Sequence, residues 1–217
     1  MGSAAVIPAF NEGETIGKVV RDALKFVDHV VVVDDGSKDD TSIEASRNGA
    51  EVIRLEKNSG KANATRVGLG RCKGYDVVVT MDGDLQHSPS EIPSLIRCVE
   101  DGADLCVGSR FLKGDVEMPL ANRISNKIAR RVISFLARRR LTDPQSGFRA
   151  INGAKVGDLE LKAERYAIEH IMILEVARRG FVIREVPVSC RYGGERSHIN
   201  AIRDTLRVIY DLARAFL

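Results

Sequence analysis

An α/β fold with a mostly parallel sheet flanked by helices is predicted by three features of this 217-residue sequence. Short apolar runs rich in β-branched residues alternate with segments of helical period through the first half of the chain. The apolar runs are continuous, as in strands buried on both faces, and their alternation with helices points to parallel strands joined by right-handed crossovers. Each run is followed by a short polar stretch, and open α/β sheets bind their ligands just outside the carboxyl ends of the strands.

The elements follow in order. Strands are predicted over 4–7, 29–33, 51–55, 76–80 and 104–107, with helices over 15–26, 40–48, 61–71 and 90–100 between them. Asp40 or Thr41 can cap the second helix, and Ser88-Pro89-Ser90-Glu91 offers the fourth a cap with an acidic first turn. The second half opens with a basic amphipathic helix over 119–140. Leu120, Ile124, Ile128, Val132 and Phe135 or Leu136 recur there at helical spacing. Arg123, Lys127, Arg130, Arg131 and Arg138-Arg139-Arg140 fill other positions, with no acidic residue. A polar loop over 143–149, a helix over 168–179, a strand over 181–188 and a C-terminal amphipathic helix over 200–216 complete the chain. No repeat, low-complexity tract or linker divides it, so 1–217 is expected to form one domain.

Composition narrows the function. With 44% hydrophobic residues, and 33 Lys and Arg against 30 Asp and Glu, the chain is not disordered. Its purely apolar runs, such as 30–33 and 77–79, fall far short of the roughly 20 residues that cross a bilayer. No signal peptide opens it, so membrane contact would be peripheral. Cys72, Cys98, Cys106 and Cys190 form no CxxC pair and face no histidine at zinc-finger spacing; they read as small core residues of a protein in a reducing cytoplasm. Residues 1–110 carry 13 basic and 18 acidic side chains, a balance of −5, whereas 111–217 carry 20 and 12, a balance of +8. With few aromatics, an acidic first half and no nucleic-acid motif, binding to nucleic acid is not expected.

The polar stretches after the strands hold the candidate site. Asp82-Gly83-Asp84 places two carboxylates one residue apart at the end of a buried strand, where they can hold a hard divalent cation and leave places for phosphate oxygens. Gln86 adds a further oxygen. Taken alone, such a pair is more often turn and cap chemistry; its position after Val77-Val78-Val79-Thr80-Met81, with a second acidic pair at Asp34-Asp35, favours the site. A dinucleotide-binding domain would need GxGxxG after the first strand, where this chain has Pro8-Ala9-Phe10-Asn11-Glu12. A response-regulator receiver is shorter and carries its acidic pair after the first strand.

Ile7-Pro8-Ala9-Phe10-Asn11-Glu12, Val33-Asp34-Asp35-Gly36-Ser37, Asn58-Ser59-Gly60-Lys61, Met81 to Pro89 and Gly108-Ser109-Arg110 together resemble the GT-A-fold glycosyltransferases of family 2. Ser146-Gly147-Phe148-Arg149 and the 191–198 stretch are similar to the dolichol-phosphate mannose synthase-like branch. The resemblance runs from about residue 4 to residue 200 and implies a Rossmann-like GT-A sheet. It implies an inverting transfer of a hexose from a nucleotide diphosphate sugar, mannose from GDP-mannose first, to a polyprenyl or dolichyl phosphate. On this resemblance, Pro8, Phe10, Glu12, Asp35, Lys61 and Asp82 would serve the nucleotide, and Asp82, Asp84 and Gln86 would hold Mg²⁺ or Mn²⁺. Asp84, Arg110 and Arg123 would be the catalytic set; Arg110, Arg123, Arg191, Arg196 and Ser197 would meet acceptor and phosphate. Residues 1–110 become the nucleotide-sugar and metal half, and 111–217 the acceptor half.

The chemistry agrees with the lack of a catalytic triad. Negative charge grows on the departing diphosphate, where a metal and arginines stabilise it. A phosphate acceptor is already an anion and needs positioning more than deprotonation, so no base is assigned, Glu169 included. Two positions depart from the family pattern. Ala62 stands where glycine is usual, which would narrow backbone approach to the ligand. His198 stands where lysine is frequent, which would make phosphate binding pH-dependent, with Arg196 supplying charge beside it.

The 119–140 helix is read either as packed on the sheet with a solvated basic face or as also meeting an anionic membrane surface. The apolar stripe of the last helix allows core packing, lipid contact or a homodimer. The expected location is the cytoplasmic face of a membrane, as a peripheral protein. Competing readings are glucosyl transfer from UDP-glucose, transfer to a soluble glycan or protein, and a nucleotide-sugar-binding subunit without activity.

Overall fold

The computed structural model describes residues 1–114, 120–161 and 168–190. Its elements are β1 (Ser3–Ala9), α1 (Ile16–Ala23), β2 (His29–Asp34), α2 (Thr41–Arg47), β3 (Glu51–Arg54), α3 (Lys61–Arg71) and β4 (Val77–Thr80). These are followed by α4 (Ile92–Glu100), β5 (Leu105–Ser109), α5 (Leu120–Leu136), β6 (Arg149–Asn152), α6 (Gly153–Val156), α7 (Ile168–Arg178) and β7 (Ile183–Pro187). The last helix expected from the sequence, over 200–216, lies outside the described residues.

The strands form one seven-stranded sheet in the order β3-β2-β1-β4-β6-β5-β7. Every pairing is parallel except those of β6, which runs antiparallel between β4 and β5. The mostly parallel α/β sheet expected from the sequence is therefore present. Successive residues of β1 point to opposite faces, as the two-residue period of a strand requires. Ala4 and Val6 join one buried apolar cluster with α3, α5 and α7; Ala5, Ile7 and Ala9 join the other with α1 and α4. Burial on both faces explains why β2 and β4 read as unbroken valine.

Three expectations need correction. The strand β6 was not foreseen: four residues are too few to show a period, and its first residue is a fully buried arginine. Neither Asp40 nor Ser88 makes a side-chain cap bond. Asp39 does that work for α2, its carboxylate accepting from the Thr41 amide at 3.1 Å and from the Gly13 amide at 2.9 Å, which ties α2 to the loop after β1. A short 3-10 turn over Pro89–Glu91 leads into α4 instead of a capped α-helical start.

The face of α5 is the third correction. Ile124, Ile128, Phe135 and Leu136 are exposed, and Phe135 is 81% exposed. The buried residues are Ala129 and Ile133, continued by Ala137 just beyond the helix. These lie at four-residue spacing on the far side of the helix from Ile124 and Ile128. Small side chains let α5 sit close to its neighbours, while its bulkier apolar stripe faces outward.

Candidate active site

The loops at the carboxyl ends of β1, β2 and β4 converge with the start of α3. After β2, Asp34 turns inward, fully buried, and accepts hydrogen bonds from the Ser37 amide and the Ser42 hydroxyl. Asp35 turns toward the next loop, where its two oxygens accept the amides of Ser59 at 2.8 Å and Gly60 at 2.7 Å. Gly36 has φ +74°, and a Cβ there would stand 2.8 Å from the Lys57 carbonyl carbon, so only glycine lets these loops close. Asp35 thereby fixes Gly60 at the head of α3, and the first residue of that helix is Lys61.

Lys61 reaches across to Asp82 at the end of β4. Its Nζ lies 2.6 Å from Asp82 Oδ1 and 2.8 Å from Glu169 Oε1, the latter on the first turn of α7. Burial disfavours the Lys61 charge, but the two carboxylates outweigh it and raise its pKa above the usual lysine range. Burial likewise opposes charge on Asp82, yet Lys61 first, then His87 and Arg110, hold its carboxyl below the usual range. Pro8, Lys61, Asp82, Gly147, Arg149 and Glu169 line a small cavity here. Gly147 permits it: a Cβ at that position would lie 2.9 Å from Asp82 Oδ2 and 3.1 Å from Lys61 Nζ. The Gly147 carbonyl accepts the Thr80 hydroxyl at 2.9 Å, which holds the 143–149 loop against β4.

The rest of the Asp82 turn is shaped locally. Asp84 Oδ1 accepts the Gln86 amide at 3.0 Å, and Leu85 between them takes a positive φ of 62°. Gln86 Oε1 lies 4.0 Å from Cys190 Sγ, and His87 is buried against Phe148 with ring centroids 5.2 Å apart. Glu12 accepts the Thr15 hydroxyl at 2.9 Å, and its Cγ would stand 3.6 Å from a Cβ at Gly83, so it borders the same turn.

A second charged group stands after β5. Arg110 donates from Nε to Asp143 Oδ2 at 2.7 Å and from Nη2 to Asp143 Oδ1 at 2.9 Å, a two-pronged pair. Glu185 of β7 accepts the amides of Thr142 and Asp143, which holds Asp143 in place. Arg149, 1% exposed, donates to three backbone carbonyls, those of Ser146, Glu169 and Pro144, at 2.8, 2.6 and 2.8 Å. Burial pulls its pKa down to about 10, with Glu169, Asp143 and Asp82 opposing, so it stays charged at neutral pH. It works as a buried clasp joining the 143–149 loop to α7.

Of the residues picked out from the sequence, Pro8, Lys61 and Asp82 share one cavity, with Glu12 beside the Asp82 turn. Asp35 is spent on the loop that carries Lys61, and Phe10 is 42% exposed nearby in the chain. Arg110 is engaged by Asp143, and Arg123 is exposed on α5. Arg191, Arg196, Ser197 and His198 lie outside the described residues. Ala62 is 2% exposed within the apolar cluster beneath α3, so its methyl packs into the core and does not narrow the ligand's approach as expected. Sequence reasoning missed Asp143 and left Glu169 without a role. An acidic residue in a loop and another at a helix start carry no signal of partners so distant along the chain.

Fold and site together define a GT-A-type α/β enzyme, with an acidic turn and a lysine gathered at the strand ends of a mostly parallel sheet. Residues 4–157 match Glycosyl transferase family 2, and the chain belongs to that family. It is 34% identical over 205 residues to a dolichol-phosphate mannosyltransferase of Pyrococcus furiosus, covering 89% of this chain and 57% of that protein. It is 32% identical over 212 residues to a UDP-N-acetylglucosamine–dolichyl-phosphate N-acetylglucosaminyltransferase of Methanococcus voltae, covering 86% and 84%. Among solved structures, glucosyl-3-phosphoglycerate synthase from Mycobacterium tuberculosis, in complex with Mn²⁺, UDP and glucosyl-3-phosphoglycerate, superposes with a TM-score of 0.80 at 26% identity. That match covers 98% of this chain and 79% of the other.

Proposed function

We propose that this glycosyltransferase moves a hexose from a nucleotide diphosphate sugar to a polyprenyl phosphate at a membrane surface. The observation that carries the reading is the Asp82–Lys61 pair in a cavity at the strand ends, where a diphosphate and its counter-ion would sit. The names of the P. furiosus and M. voltae relatives support a polyprenyl-type acceptor. Mannose from GDP-mannose is the first donor to test. A UDP-sugar is the second, favoured by the M. voltae relative and by the UDP-bound synthase.

The residues suit a divalent cation. Asp82 and Asp84 offer hard oxygen donors. Among the described residues no three His, Cys, Asp or Glu form a closed cage. Mg²⁺ and Mn²⁺ need only one or two carboxylates and complete their shell with substrate phosphates and water. Asp82 and Asp84, with Gln86, would hold the ion, which supplies positive charge to the leaving diphosphate.

The chain's own groups then do the following. Pro8, Phe10, Glu12 and Asp35 border the nucleoside. Lys61 supplies a second positive charge at the cavity floor. Arg110, held in one orientation by Asp143, and Arg123 position the acceptor phosphate, with Arg191, Arg196 and Ser197 as further contacts. The reaction inverts the sugar carbon through an oxocarbenium-like state, and the acceptor phosphate attacks as the anion it already is. Glu169 is occupied by Lys61 and serves as no base.

Access to a lipid acceptor comes from α5. Its outward Ile124, Ile128 and Phe135 are accompanied by Arg123, Lys127, Arg130 and Arg131, an apolar stripe with basic residues that suits the boundary of an anionic bilayer. No helix of the described residues is long and apolar enough to cross a membrane, and the contact proposed is peripheral, on the cytoplasmic face. The test is to incubate purified protein with Mn²⁺, polyprenyl phosphate and labelled GDP-mannose, UDP-glucose and UDP-N-acetylglucosamine. Lipid-extractable label from one donor is expected; label from none overturns the reading.

A further inference from the structure

Lys61 lies between two carboxylates that come from different parts of the fold. Asp82 belongs to the turn after β4, while Glu169 is delivered by α7, with its own backbone carbonyl clasped by Arg149 at 2.6 Å. Glu169 is 9% exposed. It has one partner described for its carboxylate, Lys61. A buried carboxylate is costly unless it is paired, and here Lys61 pairs it. Two carboxylates from separate parts of the fold thus share one ammonium group.

The second partner makes sense once a divalent cation is to share Asp82. An ammonium group 2.6 Å from Asp82 Oδ1 and a metal on the same carboxylate are like charges a few ångströms apart in a partly buried site, where repulsion is poorly screened. Lys61 must yield the carboxylate, and Glu169 gives it an anionic partner to fall back on without leaving the cavity. We propose that Lys61 stands in for the cation at Asp82 in the nucleotide-free protein, and that Glu169 is the positioning residue that takes Lys61 over when cation and diphosphate enter together. The proposal rests on the reading of Asp82 as a metal carboxylate. Two properties follow. The cation alone binds weakly, because Asp82 is already neutralised; with a nucleoside diphosphate it binds well, because the phosphates add charge of their own and Lys61 remains at hand for them. Sugar-nucleotide binding and metal binding thus become one coupled event.

The test measures Mn²⁺ affinity directly, from the paramagnetic resonance signal of free Mn²⁺, with and without GDP or UDP. Lys61→Met is expected to bind Mn²⁺ about tenfold more tightly than the wild type when no nucleotide is present, within the usual range for coupled sites. Glu169→Gln keeps the shape and a hydrogen bond but removes the charge, and is expected to weaken Mn²⁺ binding in the presence of nucleotide by about tenfold. Glu169→Asp should recover part of that loss. In the Lys61→Met background, Glu169→Gln should have no further effect, because there is no ammonium left to take over. If Glu169→Gln weakens Mn²⁺ equally in both backgrounds, Glu169 is only a nearby negative charge and the proposal fails. It also fails if Lys61→Met leaves the nucleotide-free affinity unchanged. Lys61→Gln carries the same comparison should Lys61→Met not fold, as judged by its melting curve. Asp82→Asn separates the two levels: if it binds Mn²⁺ and nucleotide as the wild type does, the metal reading itself is wrong.

Discussion

Gly147 shows how much of this site depends on an absent side chain. A methyl there would press on Asp82 Oδ2 at 2.9 Å and Lys61 Nζ at 3.1 Å, both members of the ion pair at the cavity floor. Gly147→Ala is expected to cost only about 1 kcal/mol of stability, since the loop can give a few tenths of an ångström. Transfer should fall by about tenfold or more, because small displacements of positioned charges are expensive in rate. Comparing urea midpoints with single-turnover rates checks this, and a variant with wild-type rate would refute it. Legibility at this scale divides cleanly. Asp82, Lys61 and Pro8 could be read because each lies at or near the end of a strand or opens the helix after one. Asp143 and Glu169 could not, because an acidic residue says nothing of a cation folded against it from far along the chain. Asp35 stands out as an acidic residue at a strand end, but nothing in the sequence signals that its two oxygens accept backbone amides of the loop that carries Lys61.

The parallel strands and the helices between them were the most legible elements, since burial on both faces leaves a continuous apolar signature. Two elements resisted. In β6, Arg149 occupies a position where a strand core usually holds an aliphatic residue, and three backbone carbonyls make that burial tolerable. In α5, periodicity revealed an apolar stripe but could not say which side the body would take. The fold takes the alanine side, Ala129 and Ala137 around Ile133, and leaves Phe135 outside. That inversion gives a test. Phe135→Asp removes an exposed aromatic that packs on nothing essential, so the melting temperature should stay within the small change usual for surface substitutions. Binding to anionic vesicles should weaken by about tenfold, as expected from losing a buried aromatic and adding a like charge at the lipid surface. A sedimentation assay with phosphatidylserine vesicles reads it, and unchanged binding would remove α5 from the membrane contact.

Across the whole molecule, the acidic half carries the strand-end turn and the basic half carries α5 and the arginine clasp, which gives the charge imbalance of −5 against +8 a spatial meaning. The pH dependence of stability is a property of this whole. His170 on α7 is 4% exposed, with neither ring nitrogen hydrogen-bonded among the described residues. Burial first, with Arg149 adding to it and Glu169 and Asp143 opposing, lowers its pKa to about 4. Its folded pKa thus lies below the unfolded value of about 6.5, so the unfolded chain takes up a proton that the folded one refuses. Stability is therefore complete above pH 6.5 and falls as the pH drops toward 4, by about 2–3 kcal/mol from this residue. His170→Met should shrink the difference between urea unfolding free energies at pH 7 and pH 4.5 by about 2 kcal/mol; an unchanged difference would show that the ring is protonated in place.

The strand β6 has a consequence for anyone who would recombine such enzymes. It comes from the basic half, yet it is zipped between β4 and β5 of the acidic half, with Ile151 opposite both Val78 and Leu105, and Ala150 opposite Val79 and Cys106. A chimera joined near residue 110 would replace the middle of its own sheet. Only donors whose inserted strand matches both neighbours in register, with a glycine just before it and an arginine at its start as Gly147 and Arg149 are placed here, would give back a closed sheet with the same cavity floor. The two halves of the chain are therefore inherited together, by way of four residues of backbone.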